Sequence, residues 1–372
     1  MDNKLVTLFF ELLRSSLWQT TIPGGELDSK SLQSLLTLSQ QQTVSPLISQ
    51  ALINPANQYK MGLADVPLFY HEAHRFKQLN QYMNEGVVAL ASLLSQHDIP
   101  YIIVKGQTLA VHYPQWDLRV PGDIDFYIPS SHFEQAKEVI LKAWQVTFEE
   151  EEEDEHQHLC FVWHKIPFEM HYNLFKFFDA QNQSTFDQYL LQDVEQPSIL
   201  MLEGQKIATL TPELCILYTF LHLFHHLVEI GVGARQFCDV AILLHTYHNQ
   251  VDVEKFRFML RALDVERAFC AIEAVLETYF GLPKADLLIP TRPSDYQYTS
   301  KIIGQMLRGG NFGMYGRKEA IRSSFLYYVH TLQTKIKLYR LYYHLAPREI
   351  RAMTLRNLPQ RILVGLKRTF RR

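Results

Sequence analysis

Within Arg119-Val-Pro-Gly-Asp123-Ile-Asp125-Phe-Tyr-Ile, two carboxylates stand two residues apart in a run that otherwise reads as a strand. Alternate side chains of a strand share a face and lie about 6.6–7 Å apart at the backbone. Asp123 and Asp125 therefore project together while Ile124 and Phe126 enter the core. Two carboxylates so placed repel unless a proton or cation lies between them. Mg²⁺ accepts one or two carboxylates and completes its shell with water and phosphate oxygens. The pair alone also fits two acids at a solvated strand end. Pro167-Phe-Glu169-Met-His171 adds a third carboxylate with the same alternation, Phe168 and Met170 on one face, Glu169 and His171 on the other. Carboxylates on neighbouring strands can complete a two-metal clamp that stabilises the attacking and leaving oxygens of an in-line phosphoryl or nucleotidyl displacement. Upstream, Lys105-Gly106 separates an apolar β-branched run from a helix-like segment, a turn whose N–H groups can hold phosphate.

The elements that must position these residues are short. Tyr101–Val104 reads as a strand, Thr108–Tyr113 as a helix and Ile124–Ile128 as a second strand. Ser130 or Ser131 can cap a helix whose apolar stripe is Phe133, Ala136, Val139, Ile140 and Ala143. Val146–Phe148 and Leu159–Trp163 read as strands on either side of seven consecutive acids, Glu149–Glu155, a self-repelling block expected to be a solvated loop. Pro167–Tyr172 is the last strand, with its proline at the tolerated leading end. Helical patterns occupy both flanks, including 213–228 opened by Thr211-Pro212, then 234–247, 252–262, 265–280 and more from 295 to 343. The expected fold class is α+β: a small mixed-sheet α/β core at 98–178 between an N-terminal helical region, 1–97, and a C-terminal helical domain, 179–372.

The 372 residues are 47% hydrophobic and 20% charged, which excludes disordered, collagen-like and coiled-coil classes. No apolar run approaches the roughly 18 residues of a membrane span. Leu214–Phe224, the densest stretch, is interrupted by Thr219 and His222, so no transmembrane segment and a cytoplasmic location are expected. Cys160, Cys215, Cys238 and Cys270 are too far apart for a zinc ribbon and read as small hydrophobes. A net charge of −3 does not by itself point to nucleic acid or membrane. Its distribution is uneven: Lys335–Arg372 holds eleven Lys/Arg and one acid, a balance of +10 against −13 upstream. From Pro359, Ile362, Leu363, Leu366 and Phe370 line one side of a basic amphipathic helix. Docking of this tail on the acidic body is favoured over contact with RNA or an anionic membrane.

Other residues carry weaker signals. His222 and His226 are an i, i+4 pair on the 213–228 helix, read as packing, with zinc ligation the alternative. His156 and His158 border the acidic run, and one can point toward the cleft. Arg235 and Asp239, also i, i+4, can pair with each other or overhang the cleft. His171 can orient Glu169 or touch a nucleotide.

The order apolar strand, Lys-Gly-x-Thr-Leu, helix, Arg-x-x-x-Asp-x-Asp, helix, then a strand bearing Glu-x-His resembles the nucleotidyltransferase fold of the polymerase-beta superfamily. It is most similar to the bacterial uncharacterised nucleotidyltransferase family, with a looser likeness to nucleotidyltransferase-like toxins of abortive-infection systems. The resemblance covers about 101–175. It implies a Mg²⁺- (or Mn²⁺-) dependent nucleotidyltransferase that moves an NMP from an NTP to an acceptor, with Asp123, Asp125 and Glu169 as catalytic metal ligands and Gly106 as the phosphate turn. The nucleotide would lie at Lys105, Gly106 and Gln107, with His171 beside it; Lys105 and Arg119 have no fixed role in that superfamily and can either meet the triphosphate or pair with the carboxylates to offset their repulsion. Gln107 stands where that family has Ser or Gly, which removes a hydroxyl but keeps the N–H. A small molecule, protein or RNA acceptor remains open. The alternatives are kinase-like phosphoryl transfer on the same fold, or a non-catalytic nucleotide-binding or interaction protein.

Overall fold

A computed structural model describes residues 2–149, 158–315, 325–357 and 359. Three helices open the chain, α1 (Asn3–Trp18), α2 (Ser29–Gln41) and α3 (Ser45–Ile53). Asp2 and Asp28 cap the first two, each carboxylate accepting a backbone N–H of the first turn. The long α4 (Val66–Gln96) follows, then β1 (Ile102–Val104), the short α5 (Gly106–Ala110), β2 (Ile124–Tyr127), α6 (Phe133–Trp144), β3 (His158–Trp163) and β4 (Ile166–His171).

The four strands form one mixed sheet in the order β1-β2-β4-β3. β2 is central, antiparallel to β1 and parallel to β4. α4 crosses one face of this sheet with Met83, Val87, Leu90 and Leu94 buried. Gly86 makes that approach possible: a Cβ there would lie 2.8 Å from Ile166 Cδ1 and 3.0 Å from Ile124 Cδ1. The opposite face of the sheet borders a cavity through residues of β2, β3 and β4.

Three local expectations are corrected. Val146–Phe148 forms no strand; Glu149 N–H donates a single bond to Cys160 O at 2.8 Å, an isolated bridge. Neither Ser130 nor Ser131 caps α6, because the chain makes a 3₁₀ turn over Ser130–His132 first and Ser131 Oγ bonds to His132 Nδ1. The helix expected at Thr108–Tyr113 starts earlier, at Gly106. Of the acidic block, Glu150–Glu155 lies outside the described residues, as does His156.

Beyond the sheet come α7 (Ala180–Glu195), the hairpin β5 (Ser198–Leu202) and β6 (Gln205–Thr209), and then α8 (Pro212–Glu229), α9 (Ala234–Tyr247), α10 (Val253–Ala262) and α11 (Glu266–Val275). α12 (Thr299–Gly309), α13 (Phe325–Tyr342) and α14 (Pro347–Ala352) complete the described helices. The hairpin was expected to be helical. Glu203 and Gly204 both have positive φ, 48° and 77°, the backbone of a two-residue turn that matches strand twist. It joins the sheet's core through Leu202 and Ile207, and Thr209 Oγ1 donates to Ile103 O at 2.9 Å.

A second, larger core joins the N-terminal helices to the C-terminal ones. Trp18 Nε1 donates to Phe280 O at 2.7 Å, and Gln42 bridges Met306 O and Ala234 N–H. α8 is buried on most of its faces, as suits a central helix. α13 leans on it: Lys335 and Tyr339 both donate to the Glu229 carboxylate. Glu349 accepts the N–H groups of Phe178 and Asp179 at 2.7 and 3.1 Å. Apart from Pro359 itself, the amphipathic segment expected at 359–372 lies outside the described residues.

Candidate active site

Parallel pairing of β2 with β4 sets Asp125 directly beside Glu169 and Tyr127 beside His171, and antiparallel pairing of β3 with β4 sets His158 beside His171. Period-2 alternation then puts Asp125, Glu169, His171 and His158 on one side of the sheet. Asp123 precedes β2 on the same side. All five line a cavity of about 400 Å³ between the sheet and helices α8 and α9.

Asp125 is the anchor. Lys105 Nζ donates to its Oδ1 at 2.9 Å and His171 Nε2 meets the same oxygen at 3.0 Å. Glu169 Oε2 lies 3.4 Å from His171 Nε2 and 3.9 Å from His158 Nε2. Burial opposes the charge of Asp125, but the Lys105 ammonium and the His171 hydrogen bond hold its carboxyl far below the usual range. Burial would also lower Lys105 and His171, and their carboxylate partners outweigh it and raise both. Glu169 stays low despite burial because His171 donates to it. Asp123 is different. Burial, then repulsion by Asp125 and Glu169, pushes it up to about 6, with partial relief from the Lys105 ammonium and a backbone N–H.

The donor set fits a divalent cation. Asp123, Asp125 and Glu169 are hard oxygen donors whose mutual repulsion already shows at Asp123, and oxygen ligands of this kind suit Mg²⁺ or Mn²⁺. Beside them His158, Glu169 and His171 bring one ligand atom each within 4.8 Å of one another, a mixed N/O group that tolerates Mn²⁺ better than Mg²⁺.

The turn before the site is strained. Lys105 adopts φ 54°, ψ −147°, which costs a side-chain-bearing residue about 1–3 kcal/mol. Gly106 follows at φ 41°, and a Cβ on it would stand 3.3 Å from Asp123 O. The turn therefore packs against the backbone of the Asp-x-Asp segment. Thr108 Oγ1 and the N–H of Thr108 both donate to Lys105 O, at 2.7 and 3.0 Å, and hold the conformation. The result aims Lys105 Nζ at Asp125.

Two of the expected nucleotide contacts are engaged with protein partners. The Gln107 side chain is buried and turned toward α4, where Nε2 donates to Asn80 O at 3.2 Å and to Asn84 Oδ1; it does not line the cavity. Arg119 reaches the cavity edge, but its guanidinium is held by Asp239 of α9, Nε to Oδ1 at 2.7 Å and an η-nitrogen to Oδ2 at 2.9 Å. Tyr113 OH donates to the same Oδ1 at 2.7 Å. Asp239 thus pairs across 120 residues rather than with its helix neighbour Arg235.

Of the helical wall, Arg235 and Asp239 were expected either to pair or to overhang the cleft, whereas the α8 histidines were read as packing. His222, His225 and His226 of α8 and Arg235 of α9 line the cavity opposite the carboxylates. The rings of His222 and His226 lie 4.2 Å apart, edge to face. Burial, then the positive surroundings, lowers both; His226 falls to about 3 and is neutral at physiological pH. Lys105 Nζ stands 5.6 Å over the Tyr218 ring, which ties this wall to the other. The i, i+4 spacing of the histidines was visible in sequence; that their face borders a cavity was not.

Residues 28–281 match the model of a family described as uncharacterised nucleotidyltransferase, more than half of the chain. The chain belongs to that family. The matched span includes the carboxylates, the Lys105-Gly106 turn and the helical wall of this nucleotidyltransferase family member. A solved structure, an antigenic nucleotidyltransferase-like protein from Paracoccidioides brasiliensis, is similar at 16% identity and a TM-score of 0.34, covering 54% of this chain and 92% of its own. No curated protein matches. Among the described residues, no helix is long and apolar enough to cross a membrane.

Proposed function

We propose that the protein is a divalent-metal-dependent nucleotidyltransferase that transfers the NMP of an NTP to an acceptor, with pyrophosphate leaving. The observation that carries this reading is the convergence of Asp123, Asp125 and Glu169 on one side of a mixed sheet, at a cavity of about 400 Å³. A bound Mg²⁺ or Mn²⁺ would supply charge stabilisation for the phosphoryl oxygens. Asp123, Asp125 and Glu169 would hold it.

The chain's own groups have distinct tasks. Lys105 and His171 keep Asp125 ionised and fixed in orientation. Glu169 is 27% exposed where Asp125 is 2% exposed, so it is the carboxylate an incoming acceptor hydroxyl can reach and the one suited to take its proton. The Lys105-Gly106 turn borders the space for the nucleotide phosphates. Lys105 can turn from Asp125 toward them as a point charge. The Gln107 side chain, occupied with α4, contributes through position rather than contact.

The test is incubation with α-³²P- and γ-³²P-labelled NTPs, Mg²⁺ and cell extract, reading which label becomes attached to an acceptor. Attachment of α label supports nucleotidyl transfer. Attachment of γ label alone supports the kinase-like alternative and overturns the proposal, and nucleotide binding with neither label moved supports a binding module.

A further inference from the structure

Arg235 occupies the second position of α9 and lines the cavity from the helical wall. One of its η-nitrogens donates to Val120 O at 2.9 Å, and its Nε is buried with no hydrogen-bond partner. Asp239, one turn further along α9, is the natural counter-ion for it. Both oxygens of Asp239 are already engaged by Arg119, and one of them also by Tyr113. Among the described residues no carboxylate stands at ion-pair distance from Arg235. Burial, then the neighbouring Arg119 guanidinium, acts against its charge, and Asp239 and Asp123 offset part of this from beyond ion-pair distance. A half-buried cation with a buried, unbonded Nε is costly, and such a group is retained where something else completes it.

The surroundings say what that would be. His222 and His226 are uncharged at neutral pH, so Arg235 is the permanent cation of α8 and α9 that lines this cavity without a carboxylate partner. The opposite wall gathers three carboxylates that suit a divalent cation. With such a cation bound there, the cavity has a positive pole on each side and room between them for a polyanion. Guanidinium forks match phosphate oxygens in pairs, and the unbonded Nε is half of such a fork.

We propose that Arg235 is a phosphate-binding residue that contacts a phosphate group of the substrate from the helical wall. The identity of that substrate rests on the nucleotidyl-transfer reading above; the phosphate contact does not. The phosphate belongs either to the polyphosphate chain of the nucleotide or to a phosphorylated acceptor, and the chemistry at Arg235 is the same.

The experiment measures, by calorimetry with Mg²⁺ present, binding of inorganic tripolyphosphate, ATP and AMP to the wild type, Arg235→Gln and Arg235→Lys, with a melting temperature for each. The Gln variant should weaken tripolyphosphate about tenfold or more and leave AMP within about twofold, with the Lys variant between. Its melting temperature should be unchanged or higher, since a half-buried charge without a carboxylate partner is removed; an arginine that served only to tie α9 to Val120 would lower it. A parallel loss for ATP assigns the phosphate to the nucleotide. Loss for tripolyphosphate with ATP unaffected assigns it to the acceptor. Tripolyphosphate binding that depends on Arg235 in a protein that binds no ATP would uphold this site while sinking the nucleotide reading. Equal binding of tripolyphosphate and ATP by the wild type and the Gln variant, or no tripolyphosphate binding by the wild type, overturns the proposal. Should the Gln variant not fold, the Lys variant decides alone, a loss of about threefold or more upholding the site and an unchanged affinity overturning it.

Discussion

The two walls of the cavity carry opposite chemistry and are built from different kinds of sequence. The sheet wall concentrates charge: three carboxylates from β2, its leading end and β4, with Lys105 and His171 as internal counter-ions. The helical wall disperses it: the neutral His222 and His226 of α8, Asp239 of α9 fully paired with Arg119 from the segment before β2, and Arg235 without a carboxylate partner. The first wall is shaped to attract a cation and the second to complete an anion. On the reading proposed above, a site for a metal and a polyphosphate together draws on both.

The largest expected effect breaks the sheet wall. Asp123→Asn with Asp125→Asn should abolish Mg²⁺-dependent nucleotide binding and lower turnover by about 10³-fold or more, about 4 kcal/mol, with the circular dichroism spectrum retained. Equal Mg²⁺-dependent ATP binding by wild type and double variant would remove the site from the sheet. Next comes the anchor of the helical wall. Asp239→Asn leaves the Arg119 guanidinium buried without its carboxylate and should cost about 3–5 kcal/mol in urea unfolding. An unchanged midpoint would mean that the Arg119–Asp239 pair does not hold α9 against the segment before β2.

These two regions also differ in how well the sequence displayed them. Asp123, Asp125, Glu169 and His171 were legible because a strand's period of two is a local rule, and parallel pairing of β2 with β4 brought the two fragments into register. Arg119–Asp239 was not, since no local spacing marks partners 120 residues apart. Gln107 was expected at the nucleotide because its place in the turn was visible, whereas the buried amide acceptors on α4 that draw its side chain away were not. The β5–β6 hairpin was missed for another reason. Ile199 and Met201 are exposed, so its strand lacks the apolar-in, polar-out alternation that would have revealed it. The Glu203-Gly204 turn was the available signal.

A smaller effect separates binding from chemistry on the sheet wall. Glu169→Gln should keep nucleotide affinity within a few-fold and lower turnover by about 10²-fold. If turnover survives, Glu169 is a strand residue and the proton has another acceptor.

The smallest effect is in the pH dependence of stability, where the walls should slope in opposite directions. The folded-state value of Asp123, about 6, lies above its unfolded value, so its contribution is present at low pH and is lost as pH rises through 6. His226, about 3 when folded, lies below its unfolded value, so its contribution is present above about 6.5 and is lost as pH falls toward 3. Denaturant unfolding in EDTA from pH 4 to 8 should show both effects between about pH 4 and 6.5, where Asp123→Asn removes a loss of stability with rising pH and His226→Gln removes a loss with falling pH, each by about 1–3 kcal/mol. Variants that leave the curve unchanged would contradict the burial-driven shifts assigned to the two walls.

The central claim, that the Asp-x-Asp and Glu carboxylates form a divalent-metal site for a nucleotide, is tested most directly by a crystal of the wild-type protein grown with Mn²⁺ and a non-hydrolysable NTP analogue, read by anomalous scattering. The expected result is manganese bonded to Asp123 and Asp125, with Glu169 and a nucleotide phosphate oxygen in reach and Lys105 Nζ withdrawn from Asp125. Manganese held by His158, Glu169 and His171 with both aspartates unliganded, or nucleotide bound with no metal at the aspartates, would contradict it.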